Sequence, residues 1–381
     1  MGRGFALSVC ALSVTFGTVA SAKGEPSWPD MSAGSAARAR AAAGGGGAVR
    51  PADAASSGAG VRTDCVRPAR GGVTGPGAAR AGGAAGAALD GLAGAARRTR
   101  GEDGETVGRA RVEAMERDLR ARLVARYGTS DLGAVDRAER RAGPLRVPVR
   151  FHVITDGTEG ALPDAVAGRQ VDALNVAYGG RRGGADTRVA FHLAGIDRTN
   201  NPTWFREPKQ QQRQLKRALR RGGPGVLNLY TAAVGSDVLG FSTFPEAYRK
   251  EPVLDGVVVD YRSVPGGTFH PYDLGFTAVH EIGHWLGLYH TFENGCTPPG
   301  DQVDDTPYEA SATNGCPMRK DTCPQPGDDP VHNFMDYAPD ACMREFTAGQ
   351  GRRVRALWAA YRGRAAGSGR GRAARSVGRD R

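Results

Sequence analysis

Three of the seven histidines in this 381-residue chain fall within the segment HEIGHWLGLYH at positions 280–290. His280 and His284 are four residues apart, so on a helix they lie one turn apart on the same face and can reach one metal ion. Gly287 can adopt a left-handed conformation that ends the helix, and the chain then brings His290 to the same ion. Because neutral imidazole nitrogen is a common ligand of Zn²⁺, the spacing predicts a three-histidine zinc site.

The donor set predicts chemistry as well as binding. Structural zinc sites close the fourth coordination position with a protein ligand, whereas three histidines leave it open for a water whose pKa the zinc lowers to about 7. Glu281 directly follows the first ligand, and we expect it to act as general base toward that zinc-bound water without binding the metal. The motif therefore favours a hydrolytic zinc centre over a structural one.

The elements that must position this site are predicted to alternate between strands and helices. Strand candidates rich in Val and Leu cover 147–154, 189–196, 226–230 and 256–261, and helix candidates cover 165–178 and 209–221. This alternation is typical of an α/β sheet layered with helices. No internal repeat is present.

The pattern H-E-x-x-H-x-x-G-x-x-H is the signature of the metzincin metallopeptidases. This resemblance implies a turn that contains a methionine and lies beneath the metal, downstream of the motif. Met335, in the segment NFMDY at 333–337, fits that position. Considered without the zinc motif, Met335 would be equally well explained as an ordinary core residue.

The region from about residue 147 to 357 resembles the pappalysin family of metzincins more specifically. The matching segments are TAVHEIGHWLGLYHTF at 277–292, GDQVDDTP at 300–307 and NFMDY at 333–337, followed by Cys342, Met343, Phe346, Thr347 and Gln350. The resemblance implies an α/β (α+β) catalytic domain: a twisted, mostly parallel sheet, a zinc-binding active-site helix and an irregular C-terminal subdomain. It also implies that Tyr337 lies near the metal and stabilises the oxyanion. The alternative for Tyr337 is a packed aromatic residue.

Four of the six cysteines, Cys296, Cys316, Cys323 and Cys342, fall close together in the sequence. They contain no C-x-x-C pair of the kind that zinc knuckles use. In an exported protein such a cluster predicts two disulfide bonds, with three pairings open. The resemblance to pappalysins implies Cys296–Cys323 and Cys316–Cys342.

The same region is rich in carboxylates, namely Asp301, Asp304, Asp305, Asp328 and Asp329. Carboxylate oxygens suit Ca²⁺, and the resemblance implies a calcium site in some bacterial relatives. A solvated acidic loop is the alternative.

The N-terminal region has the features of an exported precursor. Arg3, an apolar run and the A-S-A sequence at 20–22 predict a signal peptide over residues 1–22. We interpret residues 23–145 as a low-complexity propeptide, largely disordered, with one helix near 105–127. The arginines at 97, 98 and 100 offer a processing site. Because Cys10 would be removed with the signal peptide, Cys65 is the cysteine left over, either a thiolate that blocks the metal until the propeptide is removed or an incidental free thiol.

The formal charge of +11 is concentrated near the C-terminus, where residues 352–381 contain ten arginines and one aspartate. We interpret 363–381 as an Arg-rich disordered tail that follows the catalytic domain at 146–362. Such a run is usually a solvated tail, and contact with a polyanion such as anionic cell-wall polymer is the alternative. Nucleic acid is not an expected partner, and no apolar run is long enough for a membrane span.

Together these features predict a secreted zinc endopeptidase that is made as a zymogen and hydrolyses extracellular proteins or peptides. A secreted zinc-containing binding protein without turnover is the alternative. The presence of Glu281 favours the peptidase, because a binding protein does not need an activated water.

Overall fold

The structure is a computed structural model that describes residues 107–235 and 238–363. The signal peptide, Cys65, the processing site and the Arg-rich tail after Gly363 lie outside the described residues. None of the described helices is both long and apolar enough to cross a bilayer.

A five-stranded sheet forms the centre of the fold. Its strands are β1 (Leu145–Thr155), β2 (Val189–Asn200), β3 (Leu227–Ala232), β4 (Gly240–Ser242) and β5 (Val257–Asp260). They lie in the order β2-β1-β3-β5-β4, with all neighbours parallel except β4, which pairs antiparallel to β5 at one edge. Every residue of β3 and β5 is buried, as expected for parallel strands covered on both faces. The predicted α/β (α+β) class with a mostly parallel sheet is confirmed.

The sheet is covered by helices on both faces. The helices that connect the strands are α3 (Asp164–Tyr178), the short α4 (Pro202–Arg206) and α5 (Pro208–Leu219). After the sheet come α6 (Phe276–Leu286) and α7 (Ala348–Leu357), which continues into one π-helical turn (Trp358–Arg362). The main core joins α3 and α6 to one face of the sheet, and Phe205 and Leu215 cover the other face. All eleven residues of α6 are buried, so the metal motif lies on a helix enclosed by the core.

Within the described residues, two helices precede the sheet, α1 (Arg109–Tyr127) and α2 (Leu132–Arg140). Helix α1 lies within the range predicted for a single helix, and β1 begins one residue before the boundary predicted at 146. Leu119 and Leu123 of α1 pack with Val135 of α2 against Ala356 and Leu357 of α7. These helices therefore contact α7 through a hydrophobic cluster of their own.

Three arginines of α7 and its π-helical turn show that the charge run begins inside the fold. Arg353, Arg355 and Arg362 are buried at 1–2% exposure, so this part of the run belongs with the predicted domain at 146–362 and is not a solvated tail. Arg353 pairs with Glu116 of α1, Arg355 with Asp136 of α2, and Arg362 with Asp255. These partners are distant in sequence, so the composition of the run could not reveal them.

Candidate metal centre

The active-site helix ends as the sequence predicts. Gly287 has φ of +103° and its N–H is bonded to His284 O, while the N–H of Leu288 is bonded to Gly283 O. A positive φ of this size is inexpensive only for glycine. A Cβ at Gly287 would also overlap the Leu357 side chain. Glycine is thus required both by the turn and by the close packing of α7 against it.

The turn brings the three predicted ligands together. His284 Nε2 lies 3.2 Å from His280 Nε2 and 3.0 Å from His290 Nε2. All three histidines are buried. The structure thus brings the three predicted ligands together, with their ligand atoms within 4.8 Å of one another.

The protonation of the rings fits a metal ion. His280 Nδ1 donates to Phe334 O at 2.7 Å and His284 Nδ1 donates to Leu288 O at 2.8 Å. In the neutral rings the lone pairs are then on Nε2, and these atoms lie 3.0–3.2 Å apart, close to the separation of about 3.3 Å between nitrogen ligands of a tetrahedral zinc ion. A cation between these nitrogens removes the repulsion, and the donor set suits zinc.

Met335 lies directly under this helix. It is fully buried, and a Cβ added to Gly283 would overlap its sulfur atom. Its backbone is fixed by two bonds, from its N–H to Asn333 Oδ1 at 3.0 Å and from Thr291 N–H to its carbonyl at 3.2 Å. The segment at 333–337 therefore forms a turn beneath the histidines, with no room for a side chain at position 283.

Tyr337 lies beside the third ligand. Its hydroxyl is 3.2 Å from His290 Nε2, and its ring makes an edge contact with Phe292, which stacks on His290. The side chain is buried. Tyr337 is therefore both a packed aromatic residue and a neighbour of His290.

Glu281 faces the sheet edge. The side chain is buried, and a Cβ built on Gly240 of β4 would lie 2.8 Å from Glu281 Cγ and 3.0 Å from its Oε1. Glycine at position 240 therefore leaves the space that this carboxylate occupies.

Comparison with known proteins agrees with this geometry. The family described as pregnancy-associated plasma protein-A matches residues 242–359. An extracellular metalloprotease of Verticillium alfalfae is 44% identical over 227 residues, covering 57% of this chain and 77% of the relative. An extracellular metalloprotease of Pyricularia oryzae is 40% identical over 256 residues, covering 66% of this chain and 88% of the relative.

Among solved structures, mature mirolysin of Tannerella forsythia in complex with a cleaved peptide is 30% identical. It has a TM-score of 0.51 and covers 57% of this chain and 92% of mirolysin. The chain belongs to the pappalysin family. As a pappalysin it is a metallopeptidase, and the resemblance inferred from its motifs is confirmed.

The irregular part of this pappalysin, between α6 and α7, contains two disulfide bonds. Cys296 is bonded to Cys323 and Cys316 to Cys342, which is the pairing that the resemblance implied. His332 lies against the second bond, with Nδ1 3.3 Å from Cys342 Sγ. Because both sulfur atoms are in the disulfide, this group of Cys316, His332 and Cys342 is not a second metal centre.

A buried ionic network in the same region was missed by sequence reasoning. Glu309 accepts hydrogen bonds from Thr291 Oγ1 at 2.7 Å and Thr313 Oγ1 at 3.0 Å, and Lys320 Nζ lies 2.5 Å away. Burial, followed by repulsion from Asp336, raises the pKa of Glu309 to about 7. The network fixes the residue after His290 to the disulfide-linked segment. No sequence motif marks it.

The acidic residues considered for calcium are dispersed. Asp301 is buried and its pKa is raised well above the usual value, chiefly by burial, while its Oδ1 accepts from Val303 N–H. Asp305 accepts from Gly349 N–H, Asp328 pairs with Arg319, and Asp329 with Lys320. In the described part of the chain, no three of these carboxylates lie within 4.8 Å of one another.

Proposed function

We propose that this pappalysin is a secreted zinc endopeptidase in which His280, His284 and His290 bind the metal, Glu281 is the general base and Tyr337 donates to the oxyanion. The observation that carries the proposal is the convergence of three buried imidazoles whose ligand atoms lie within 4.8 Å of one another, with His284 Nε2 3.2 Å from His280 Nε2 and 3.0 Å from His290 Nε2. The extracellular metalloproteases to which the chain is similar support export.

Zinc, when bound, supplies a Lewis acid that polarises the scissile carbonyl and lowers the pKa of a water molecule. Glu281 accepts the proton of the attacking water and passes it to the leaving amine. The Tyr337 hydroxyl, beside His290, donates to the negative charge that develops on the carbonyl oxygen. Met335 and Gly283 keep the base of the site closely packed.

A peptide substrate has an edge strand to pair with. Strand β4 ends the described sheet, and Gly240 on it contacts Glu281. A groove of about 250 Å³ runs from Phe241 and Thr243 to His284. Extended peptides commonly bind by adding a strand to such an edge, and the mirolysin structure contains a cleaved peptide.

The decisive experiment measures cleavage of a quenched peptide library by the purified protein and by Glu281→Gln. We expect the variant to retain zinc and fold while its turnover falls by about 10²–10⁴-fold or more. Glu207→Gln, at an exposed position, serves as the matched control and should be fully active. Removal of the metal with 1,10-phenanthroline should abolish the activity. A zinc-replete Glu281→Gln protein with a near-normal rate would refute the assignment.

We further propose synthesis as a zymogen. Val107 is buried with Met115, Phe244 and Tyr289, and the carboxylate of Glu293 accepts a hydrogen bond from its backbone N–H. Because Glu293 lies 4.0 Å from His290, Val107, the first described residue, lies close to the proposed metal ligands. A propeptide that precedes Val107 and is removed on activation could block the cleft from this position. If Cys65 is the blocking ligand, a Cys65→Ser precursor should be active, and an inactive one would exclude that role.

Two finer elements of the prediction have their own tests. Calcium binding predicts a lower melting temperature in EGTA under conditions that leave zinc bound. Polyanion contact predicts weaker retention on an anionic resin after residues beyond Gly363 are deleted. An unchanged melting temperature would refute calcium binding, and unchanged retention would refute polyanion contact. Neither result would affect the peptidase assignment.

A further inference from the structure

The turn that carries the third ligand is held by a side chain from α7. Arg353 Nε donates to Gly287 O at 3.0 Å, and Gly287 is the residue at which α6 ends. The guanidinium also lies 4.8 Å from the centre of the Tyr289 ring, directly before His290. Arg353 is 1% exposed, so its position is determined by the groups around it.

The partner that fixes Arg353 comes from the N-terminal helix. Arg353 Nη2 lies 2.5 Å from Glu116 Oε1, and the Tyr289 hydroxyl donates to the same oxygen at 3.2 Å. Burial lowers the pKa of Arg353, but the interactions with Glu116, Tyr289 and Asp301 together more than offset this, so the net shift is upward. A buried guanidinium that loses its carboxylate partner is strongly destabilised where it lies. One carboxylate oxygen thus holds both the arginine and the tyrosine that border the ligand turn.

We infer that Glu116 is a positioning residue for the metal centre: through Arg353 and Tyr289 it holds the Gly287–His290 turn in the conformation that presents His290 to the metal. It touches neither the metal position nor the substrate groove. Its effect passes through the Gly287 carbonyl, which Arg353 can bind only while Glu116 balances its charge. The inference rests on the proposed metal site and adds to it a contribution from a helix more than 160 residues upstream in the sequence.

A second buried pair on the same helix provides the control. Arg355 Nε donates to Asp136 Oδ1, and its guanidinium also donates to Thr187 O. Both side chains of this pair are as buried as those of Arg353 and Glu116. None of these bonds involves the Gly287–His290 turn. Loss of Asp136 therefore has a similar structural cost without the same route to His290.

The experiment measures zinc affinity by competition with a chromophoric chelator for four full-length variants: Glu116→Gln, Glu116→Ala, Asp136→Asn and Asp136→Ala. Outer contacts that orient metal ligands typically contribute about 10–100-fold to affinity. Because Glu116 acts through an intermediate residue, we expect about a tenfold loss for Glu116→Ala and a smaller loss for Glu116→Gln. The Asp136 variants should remain within about twofold of wild type, although thermal unfolding shows both sets destabilised. Once the proposed propeptide has been removed, excess zinc should restore peptidase activity to the Glu116 variants.

The outcomes distinguish an error in the proposed metal site from an error in the role assigned to Glu116. If wild type binds no zinc, the proposed metal site is wrong. If wild type binds zinc and the Glu116 and Asp136 variants lose affinity equally, or neither loses it, Glu116 is an ordinary structural residue and this inference is overturned. Should the alanine variants fail to fold, the near-isosteric Glu116→Gln and Asp136→Asn pair decides by the same comparison.

Discussion

The proposed metal ligands lie in two regions that are held in place by different means. His280 and His284 belong to α6, whose backbone hydrogen bonds fix their spacing, and every residue of that helix is buried in the core. His290 lies beyond the helix, where the chain has no regular structure. Its neighbours are fixed by side chains from elsewhere: Arg353 at Gly287, Glu309 at Thr291 and Tyr337 beside the ring. Two ligands therefore depend on local helix geometry, and the third depends on tertiary contacts.

This difference predicts where the site is vulnerable. A helix inside a core loses its geometry only when the core is disrupted. A turn held by buried ion pairs moves when one distant partner is lost, because an unpaired buried charge costs about 3–5 kcal/mol. Changes that reach the turn should lower zinc affinity more than changes under the helix that have a similar effect on stability.

The largest expected effect is from a truncation that removes α1 and α2. A chain that starts at Leu145 loses Glu116 and Asp136 together and leaves Arg353 and Arg355 buried without carboxylates. At about 3–5 kcal/mol for each pair, the loss approaches the entire 5–15 kcal/mol by which domains are typically stable. We expect this protein to be unfolded by circular dichroism and inactive.

A chain that starts at Val107 is the control for this truncation. It keeps both acidic partners and the Leu119 and Leu123 contacts, so it should be folded and active. That outcome would place the functional end of the propeptide upstream of residue 107, whereas the sequence predicted residue 145. A stable, active protein starting at Leu145 would show that α1 and α2 are dispensable.

Gly287→Ala should have the next largest effect. Alanine at φ of +103° is strained by about 1–2 kcal/mol, and its Cβ overlaps Leu357, with overpacking costs of about 1–3 kcal/mol. We expect a lower melting temperature and, because the turn itself shifts, at least a tenfold loss of zinc affinity. Gly168→Ala, within α3 and with open space around the new Cβ, should be neutral or slightly stabilising. An unchanged zinc affinity in Gly287→Ala would break the proposed link between turn and ligand.

The same division explains what could be predicted from the sequence. The positions of His280, Glu281, His284 and Gly287 follow from helix spacing, which is local, and the strands follow from runs of β-branched residues. Met335 and Tyr337 were reachable only through the resemblance to pappalysins. Glu116, Glu309 and Arg353 could not be found at all, because a buried ion pair between residues distant in sequence leaves no periodic signal.

Two of the elements that the sequence analysis missed, β4 and α7, were missed for related reasons. Strand β4 has three residues, too few for an alternating pattern to be visible. Helix α7 contains several arginines, so its composition resembles a solvated segment, although a capping box of Thr347 and Gln350 begins the helix. In both cases the surrounding fold determines the structure more strongly than the local composition does.

Gly283→Ala tests the helical side of the comparison and should have the smallest effect on the metal. A Cβ there overlaps the Met335 sulfur, but alanine is a better helix former than glycine by about 1 kcal/mol, and methionine can change rotamer to relieve part of the clash. We expect a net destabilisation of about 1–2 kcal/mol with a loss of zinc affinity below about threefold, because α6 keeps His280 and His284 in register. Thermal unfolding and chelator competition on the same samples give both values. A loss of affinity as large as that of Gly287→Ala would mean that the core beneath the helix, and not the turn, sets the geometry of the site.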